Sequence, residues 1–498
     1  MSRPNVILIC ADEWRGDCLS AEGHPHVQTP HLDELAGRGA RFRHAYSATP
    51  TCVPARVALF TGQSQERHGR VGYEEGLPFD VVHPVTLQGE FRKAGYQTQA
   101  IGKLHVYPER SRVGFDDVVL HDGFLHHARR EHRRDFKFFD DYVPWLRRQP
   151  GVSPDEEYFD HGAGCNSTAA RPWDKPERLH PTSWAASEAI EWLYRRDPTR
   201  PFFLYLSFHR PHPPYDPPAW AMDMYLDLPA VERRVGDWVH HYGSVRRDGY
   251  HQTAFGTLPE AVTRRARAGY YGLMTHLDLQ LGRVFEALAE FGLSENTIIA
   301  FTSDHGEMLG DHDFYRKAVG YEGSARVPLI IATPDGAAPA GTVVDEVVEL
   351  RDIMPTLLDL AGVPVPDSCD GRSLARFLPG ADRPIDAPWR AWLHGEHVYF
   401  GQSLQWVTDG HVKYLWASAW GTEELFDLDA DPHELHNLAQ DPAHRELREL
   451  WRGRLIADLT GREEGFVQDR DLVPGAAVVS MLAHARERLR HANPDDQP

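Results

Sequence analysis

The sequence contains no hydrophobic run approaching the roughly 20 residues that span a bilayer, so no membrane partner is expected. It also lacks a basic excess: 53 Lys and Arg against 73 Asp and Glu leave a formal net charge of −20. That balance argues against a nucleic-acid partner and against general affinity for anionic lipid. A small anionic substrate stays compatible with it, because a local cationic pocket can sit in an acidic protein. Cysteine is scarce. The five present (Cys10, Cys18, Cys52, Cys165 and Cys369) are scattered and odd in number, which suits reduced thiols rather than a disulfide framework. Strand-like sequence begins at Asn5 with no charged leader, apolar h-region or cleavage site before it. A cytoplasmic location is the expectation. No internal repeat or low-complexity segment stands out.

What is there reads as a large globular chain. Hydrophobic residues make up 41% and there are 13 tryptophans in 498 residues, a length that predicts two domains. Strands alternate with helices to about residue 375, which predicts a large α/β domain over 1–378. Its sheet is expected to be mixed, mostly parallel and doubly wound. Beyond Pro379 short strands follow one another, with Asp409-Gly410 and Trp420-Gly421 at turns. They predict a smaller C-terminal α+β domain, 379–498, on an antiparallel sheet. A helix follows from about Pro442 to Leu459, then an irregular charged tail. Residues 110–180 interleave Arg, His, Asp and aromatics without a period and read as a solvated insertion on the substrate rim. The His126-His127 and Arg129-Arg130 pairs within it suggest a metal or phosphate site less well than they suggest such an insertion.

The stretch with the most chemistry is Pro50-Thr51-Cys52-Val53-Pro54-Ala55-Arg56. Proline fits the first turn of a helix, where its missing N–H would be unpaired anyway. Cys52 is therefore expected just ahead of a helix N-terminus, where backbone N–H groups and the helix dipole favour an anion. Arg56 follows about one turn later with a fixed cation. A half-buried structural cysteine is the plainer alternative for the isolated pattern.

Four strand ends carry polar groups. Asn5 to Cys10 is an apolar run that ends at Asp12-Glu13, paired oxygens suited to a hard divalent cation. Gly95 to Gly102 leads to Lys103 and His105, two apart, so extended backbone would aim both to one side. Phe202 to Phe208 leads to His209-Arg210-Pro211-His212, a loop stiffened by proline. Thr297 to Ser303 delivers Asp304-His305, and Lys317 lies further on. Ser183 reads as the cap of a helix running to about Arg195. Each group taken singly has an ordinary structural reading: a cap, a surface lysine, a packed histidine. A parallel sheet, however, puts such ends on one edge. Asp12, Glu13, Asp304 and His305 are then expected to form a mostly oxygen cage for one divalent ion, with Cys52, Arg56, Lys103, His105, His212 and Lys317 around a tetrahedral anion bound to it.

On these residues the chain resembles the sulfatase family of the alkaline-phosphatase superfamily. Cys52-Val53-Pro54-Ala55-Arg56 resembles the family's Cys-x-Pro-Ser/Ala-Arg motif, and Gly95 to His105 resembles its second motif. Ser303-Asp304-His305-Gly306 is similar to its metal-binding strand end. Val412-Lys413-Tyr414, Glu423 to Leu428, Asp431 to Glu434 and Asn437-Leu438 look like its small domain. The resemblance implies that Cys52 is converted by a maturation enzyme to formylglycine, whose hydrate attacks sulfur and later expels sulfate. It implies one divalent ion, Ca2+ foremost with Mn2+ or Mg2+ as the others, held by Asp12, Glu13, residue 52, Asp304 and His305. Arg56 and Lys103 would stabilise charge, His105 would assist sulfate expulsion, and His212 with Lys317 would protonate the leaving alcohol. Glu13 stands where many members carry Asp, and His305 where Asn is common.

The expected activity is hydrolysis of a sulfate monoester of a small organic substrate, aryl, sugar or similar. Phosphonate monoester or phosphodiester hydrolysis on the same scaffold is the alternative, since both substrates present a tetrahedral anion to the same groups. A non-catalytic binding protein would be expected to lose some of the nucleophile, Arg and Lys/His set, and all are present. The oligomeric state, a homo-oligomer included, stays open.

Overall fold

The computed structural model describes residues 3–74, 76–123, 140–154, 164–229, 233–334, 341–378, 388–475 and 477–492. Eight strands build its main sheet: β1 (Asn5–Asp12), β2 (Ala40–Phe42), β3 (Gln97–Gly102), β4 (Asp117–Leu120), β5 (Phe202–Pro211), β6 (Thr297–Ser303), β7 (Leu329–Ala332) and β8 (Thr342–Val344), in the order β4-β3-β5-β1-β6-β7-β2-β8. β1 pairs in parallel with β5 on one side and β6 on the other, while β7 runs antiparallel to both β6 and β2. The sheet is thus mixed and mostly parallel, as the alternation of elements predicts.

β1 is buried along its whole length, and its side chains sort by a period of two. Ile7, Ile9 and Ala11 enter one core layer, and Val6, Leu8 and Cys10 enter the other. The first layer is covered by α3 (Pro181–Arg195) and α4 (Glu260–Glu290), through residues such as Ala186, Leu193, Leu277 and Leu281. The second is covered by α2 (Cys52–Thr61), whose Val57, Leu59 and Phe60 pack there. A small helix, α1 (Pro30–Gly37), closes the first layer through Leu32 and Leu35. Each fully buried aliphatic side chain of this kind contributes about 1.5–3 kcal/mol, so α2 is fixed along its length.

A four-stranded antiparallel sheet follows: β9 (Leu393–Tyr399), β10 (Gln402–Thr408), β11 (Val412–Ala417) and β12 (Thr422–Asp427), in that order. Helix α5 (Arg445–Leu459) packs Trp451, Leu455 and Leu459 against Val407, Tyr414 and Leu425. No helix among the described residues is long and apolar enough to cross a membrane.

Three local expectations are corrected. α3 is capped by His180, whose Nδ1 accepts from Thr182 N at 3.2 Å, and Ser183 lies inside the helix. The stretch 110–180 is not all solvated: β4 belongs to the main sheet, and Tyr142, Val143 and Leu146 are core residues. Its polar texture hid them because each is only four or five residues long. The tail contains α6 (Ala483–Ala492), which packs Ala485 against Val82, and Met481 just before it joins the same contact. His126, His127, Arg129 and Arg130 lie outside the described residues.

Candidate active site

Parallel pairing sets the site. Asp12 at the end of β1 is level with Pro211 of β5, and Ala11 is level with Ser303 of β6. His212 and Asp304, one residue beyond those partners, therefore meet Asp12 at the C-terminal edge of the sheet. Gly102 of β3 is level with Ser207 of β5, which brings Lys103 to the same edge.

Cys52 is the first residue of α2, not the residue ahead of it, and it is 1% exposed. Pro54 is then the third helical residue. The Cys52 Sγ lies 3.2 Å from His305 Nε2, 3.6 Å from Asp12 Oδ1 and 3.8 Å from Lys103 Nζ. Burial, and then the Asp12 carboxylate, pushes the thiol up to about 12, so this protein environment does not by itself ionise it.

Arg56, one turn on, is equally buried. Its Nε donates to Asp304 Oδ2 at 3.0 Å, its Nη2 lies 2.9 Å from the same oxygen in an ion pair, and its Nη1 donates to Tyr205 OH, Ser207 Oγ and the Lys103 carbonyl at 2.6, 3.0 and 3.0 Å. Arg56 thus locks the pose of Asp304 and ties α2 to β5. Tyr205 and Ser207 were missed by sequence reading. The signal was two hydroxyls at a spacing of two on an otherwise apolar strand.

Lys103 Nζ pairs with Asp12 Oδ2. Burial would raise the Asp12 carboxyl, but Lys103 foremost holds it well below the usual carboxylate range. The expectation that extended backbone aims Lys103 and His105 to one side is not met. β3 ends at Gly102, and His105 has φ 57°, so a turn intervenes. Asp122 Oδ1 fixes that turn by accepting from Leu104 N and His105 N at 2.6 and 3.0 Å.

Glu13, expected as a ligand beside Asp12, is turned away from that group. Its φ of 72° reverses the chain, Tyr270 OH from α4 donates to its carbonyl at 2.6 Å, and Trp14 N donates to Ser303 Oγ at 2.9 Å. The carboxylate instead accepts from Lys317 Nζ at 2.9 Å and lies 3.2 Å from His212 Nε2. Burial, reinforced by Glu307 and opposed by Lys317, holds the Glu13 carboxyl well above its ordinary range. Glu307 was also missed. Its Oε1 accepts from the backbone N–H of Leu309 and Arg316 at 2.7 and 2.5 Å and so shapes the loop that carries Lys317. That loop has positive φ at Leu309, His312, Asp313, Arg316 and Ala318, a backbone that needs such anchors.

Asp12, Cys52, Asp304 and His305 present one donor atom each within 4.8 Å of one another, all buried. A test of whether they fit a cation lies in the tautomer of His305. Its Nδ1 is 2.9 Å from the Gly306 carbonyl, which only accepts, so Nδ1 carries the proton and Nε2 presents a lone pair. That lone pair faces Asp12 Oδ1 at 3.4 Å and Asp304 Oδ1 at 3.7 Å. Burial pushes the imidazole down to about 4, so protonation does not relieve the encounter near neutral pH. Lone pairs converging in this way fit a bound cation, and the two carboxylates favour a hard divalent one. Asp12 also shares a 4.8 Å group with His209 and His212. His212 Nδ1 lies 2.8 Å from the Pro213 carbonyl, which leaves its Nε2 toward Glu13.

The mixed sheet with acidic, imidazole and cysteine side chains at one edge is of the alkaline-phosphatase-like α/β class, the fold of its structural neighbours. The family model for Sulfatase matches residues 4–363, and one for the C-terminal part of N-sulphoglucosamine sulphohydrolase matches 310–459. The chain is 44% identical to an arylsulfatase of Clostridium perfringens, over 97% of this chain and 100% of the relative. It is 32% identical to a choline-sulfatase of Rhizobium meliloti, over 88% and 83%. The crystal structure of the phosphonate monoester hydrolase of Agrobacterium radiobacter superposes with a TM-score of 0.74 at 29% identity, covering 91% of this chain and 95% of the other. The chain belongs to the sulfatase family and is a sulfuric ester hydrolase.

Proposed function

We propose that the protein cleaves a small sulfate monoester with residue 52, matured from cysteine to formylglycine, as nucleophile. The observation that supports this most is the position of Cys52 at the start of α2, within reach of Asp12, His305 and Lys103. Its thiol is pushed up to about 12, which favours a hydroxyl nucleophile over a thiolate. Asp12, Asp304 and His305, with residue 52, are the side chains that would hold the divalent ion, Ca2+ by preference. Such an ion, when bound, polarises the sulfate oxygens and the attacking hydroxyl.

The protein's own groups divide around it. Arg56 fixes Asp304. Lys103 holds Asp12 ionised and places a cation beside residue 52, where charge develops. His105 serves as the base that helps residue 52 release sulfate. On the other side, Glu13, His212 and Lys317 share a proton network at hydrogen-bond distance, and that network supplies the proton to the departing alcohol. Glu13 is assigned here rather than to the ion. Residues 1–378 carry this chemistry and 379–498 form the supporting domain. A formylglycine-generating enzyme is the implied partner, and an aryl or sugar sulfate the implied substrate.

A second reading, phosphonate monoester or phosphodiester hydrolysis, has support from the similarity to a phosphonate monoester hydrolase. Mass spectrometry of the peptide containing residue 52, after co-expression with a maturation enzyme, tests the nucleophile. The expected result is the aldehyde or its hydrate; unmodified cysteine with no turnover of an aryl sulfate would sink the proposal. Comparing kcat/KM for an aryl sulfate and an aryl phosphonate on the same sample decides between the two readings.

A further inference from the structure

The residue before the nucleophile is bound by a histidine from the far end of the chain. Thr51 is the N-cap of α2, with extended backbone at φ −148° and ψ 155°, yet its side chain makes no capping hydrogen bond. A capping hydroxyl ordinarily accepts from the second or third N–H of its helix. Here the third helical residue is Pro54, which has none. The freed hydroxyl instead lies 2.8 Å from Nε2 of His397, and both residues are buried, 5% and 2% exposed.

His397 sits on β9, the edge strand of the C-terminal sheet. The flanking N–H groups of that strand point outward to the catalytic domain: Glu396 N donates to the Ala48 carbonyl at 2.8 Å, and Val398 N donates to the Val71 carbonyl at 3.0 Å. Glu396 is itself held by both terminal nitrogens of Arg462, at 2.8 and 3.0 Å. The His397 ring is therefore presented from a rigid strand, registered against the loop that leads into Cys52. Burial pushes its imidazole down to about 3, so the contact is one between neutral groups.

We infer that His397 is a positioning residue for the nucleophile: through the Thr51 hydroxyl, the C-terminal sheet sets the orientation of the first turn of α2 and hence of residue 52. This rests on residue 52 being the nucleophile. Small misplacements of a reacting group cost rate rather than affinity, because ground-state binding of the substrate uses other contacts.

The test measures kcat and KM for an aryl sulfate, normalised to formylglycine content by mass spectrometry. The variants are His397→Ala, His397→Gln, Thr51→Val and the Thr51→Val/His397→Ala pair, with Cys52→Ala as control. His397→Ala is expected to lower kcat by about 10- to 100-fold and to leave KM within about twofold. Gln, whose amide nitrogen can stand near the place of Nε2, should restore most of the loss. The double variant should cost no more than the worse single one, since both remove the same contact. A His397→Ala enzyme with wild-type kcat per formylglycine would overturn the inference. Equal loss in the Gln variant, or additive losses, would also overturn it, because packing alone then accounts for the residue. Should His397→Ala fail to fold, Thr51→Val and His397→Gln carry the same comparison. Activity surviving in Cys52→Ala would instead remove the nucleophile assignment on which the inference rests.

Discussion

Two regions of the molecule bury charge, and they finish it differently. In the C-terminal sheet, Lys413 is fully buried and donates to Glu322 Oε1 at 2.7 Å and Glu434 Oε1 at 2.9 Å, with the rings of Tyr46 and Trp406 each 5.7 Å away. Glu322 also accepts from Tyr46 OH at 2.9 Å, and Glu434 accepts from Glu322 N at 2.8 Å. That network is closed. At the edge of the main sheet each carboxylate likewise has a cation: Asp12 has Lys103, Asp304 has Arg56, Glu13 has Lys317. Yet the imidazole of His305 aims its lone pair at carboxylate oxygens of Asp12 and Asp304. Burial and pairing are common to both regions. The convergence of acceptors on acceptors belongs to one, and it supports the proposal that this edge takes a cation and a substrate.

The sharpest way to break this comparison is at Asp304. Asp304→Asn keeps an oxygen for Arg56 but removes the charge the ion needs. It should lower kcat/KM by more than about 1,000-fold and reduce bound divalent metal below one equivalent, read by elemental analysis. Full metal content with near-normal activity would show that the acceptors converge for another reason. The converse experiment is Lys413→Met in the closed network. Removing one partner of a buried charge cluster costs about 3–5 kcal/mol, visible as a lower urea midpoint, while kcat/KM of the folded fraction should stay unchanged. A catalytic defect without a stability loss would erase the distinction between the two regions.

The smallest effect concerns His394, where the small sheet meets the N-terminal region. Burial would lower its pKa, but the hydrogen bond with Glu66 and the charge of Glu396 raise it to about 9. Folding therefore favours the protonated ring. The stabilisation is fully present below about pH 6.5 and is lost as pH rises through 9, a loss of about 2 kcal/mol between pH 7 and 9.5. Melting temperature against pH should fall over that window, and His394→Gln should flatten the profile.

The site was legible in sequence where the sheet does the positioning. Asp12, Lys103, His212 and Asp304 follow buried apolar strands, and parallel pairing leaves such ends little choice of edge. The turn at Glu13 was not legible, because a positive φ on a non-glycine residue is set by Tyr270 and by the Ser303 hydroxyl from elsewhere in the chain. Lys413 lies within strand β11 and Lys103 just past the end of β3, and as sequence neither position tells which lysine serves the site; their partners do. His397 gave no signal at all, since its role depends on an edge strand docking on a loop about 346 residues earlier. In the fold at large, the four-residue β4 was lost in polar text.

Cys52 is 1% exposed and enclosed by strands β1 and β6 and by α2, whose pairing brings together residues some 290 positions apart. Long-range parallel pairing is slow to form. On the proposed maturation of Cys52, the modifying enzyme would therefore have to work on the extended chain, and its access would end when the central strands pair. The rate of that closure would then set how much of each newly made batch of chains becomes competent. Substitutions that speed sheet assembly would then lower the aldehyde content of the folded protein.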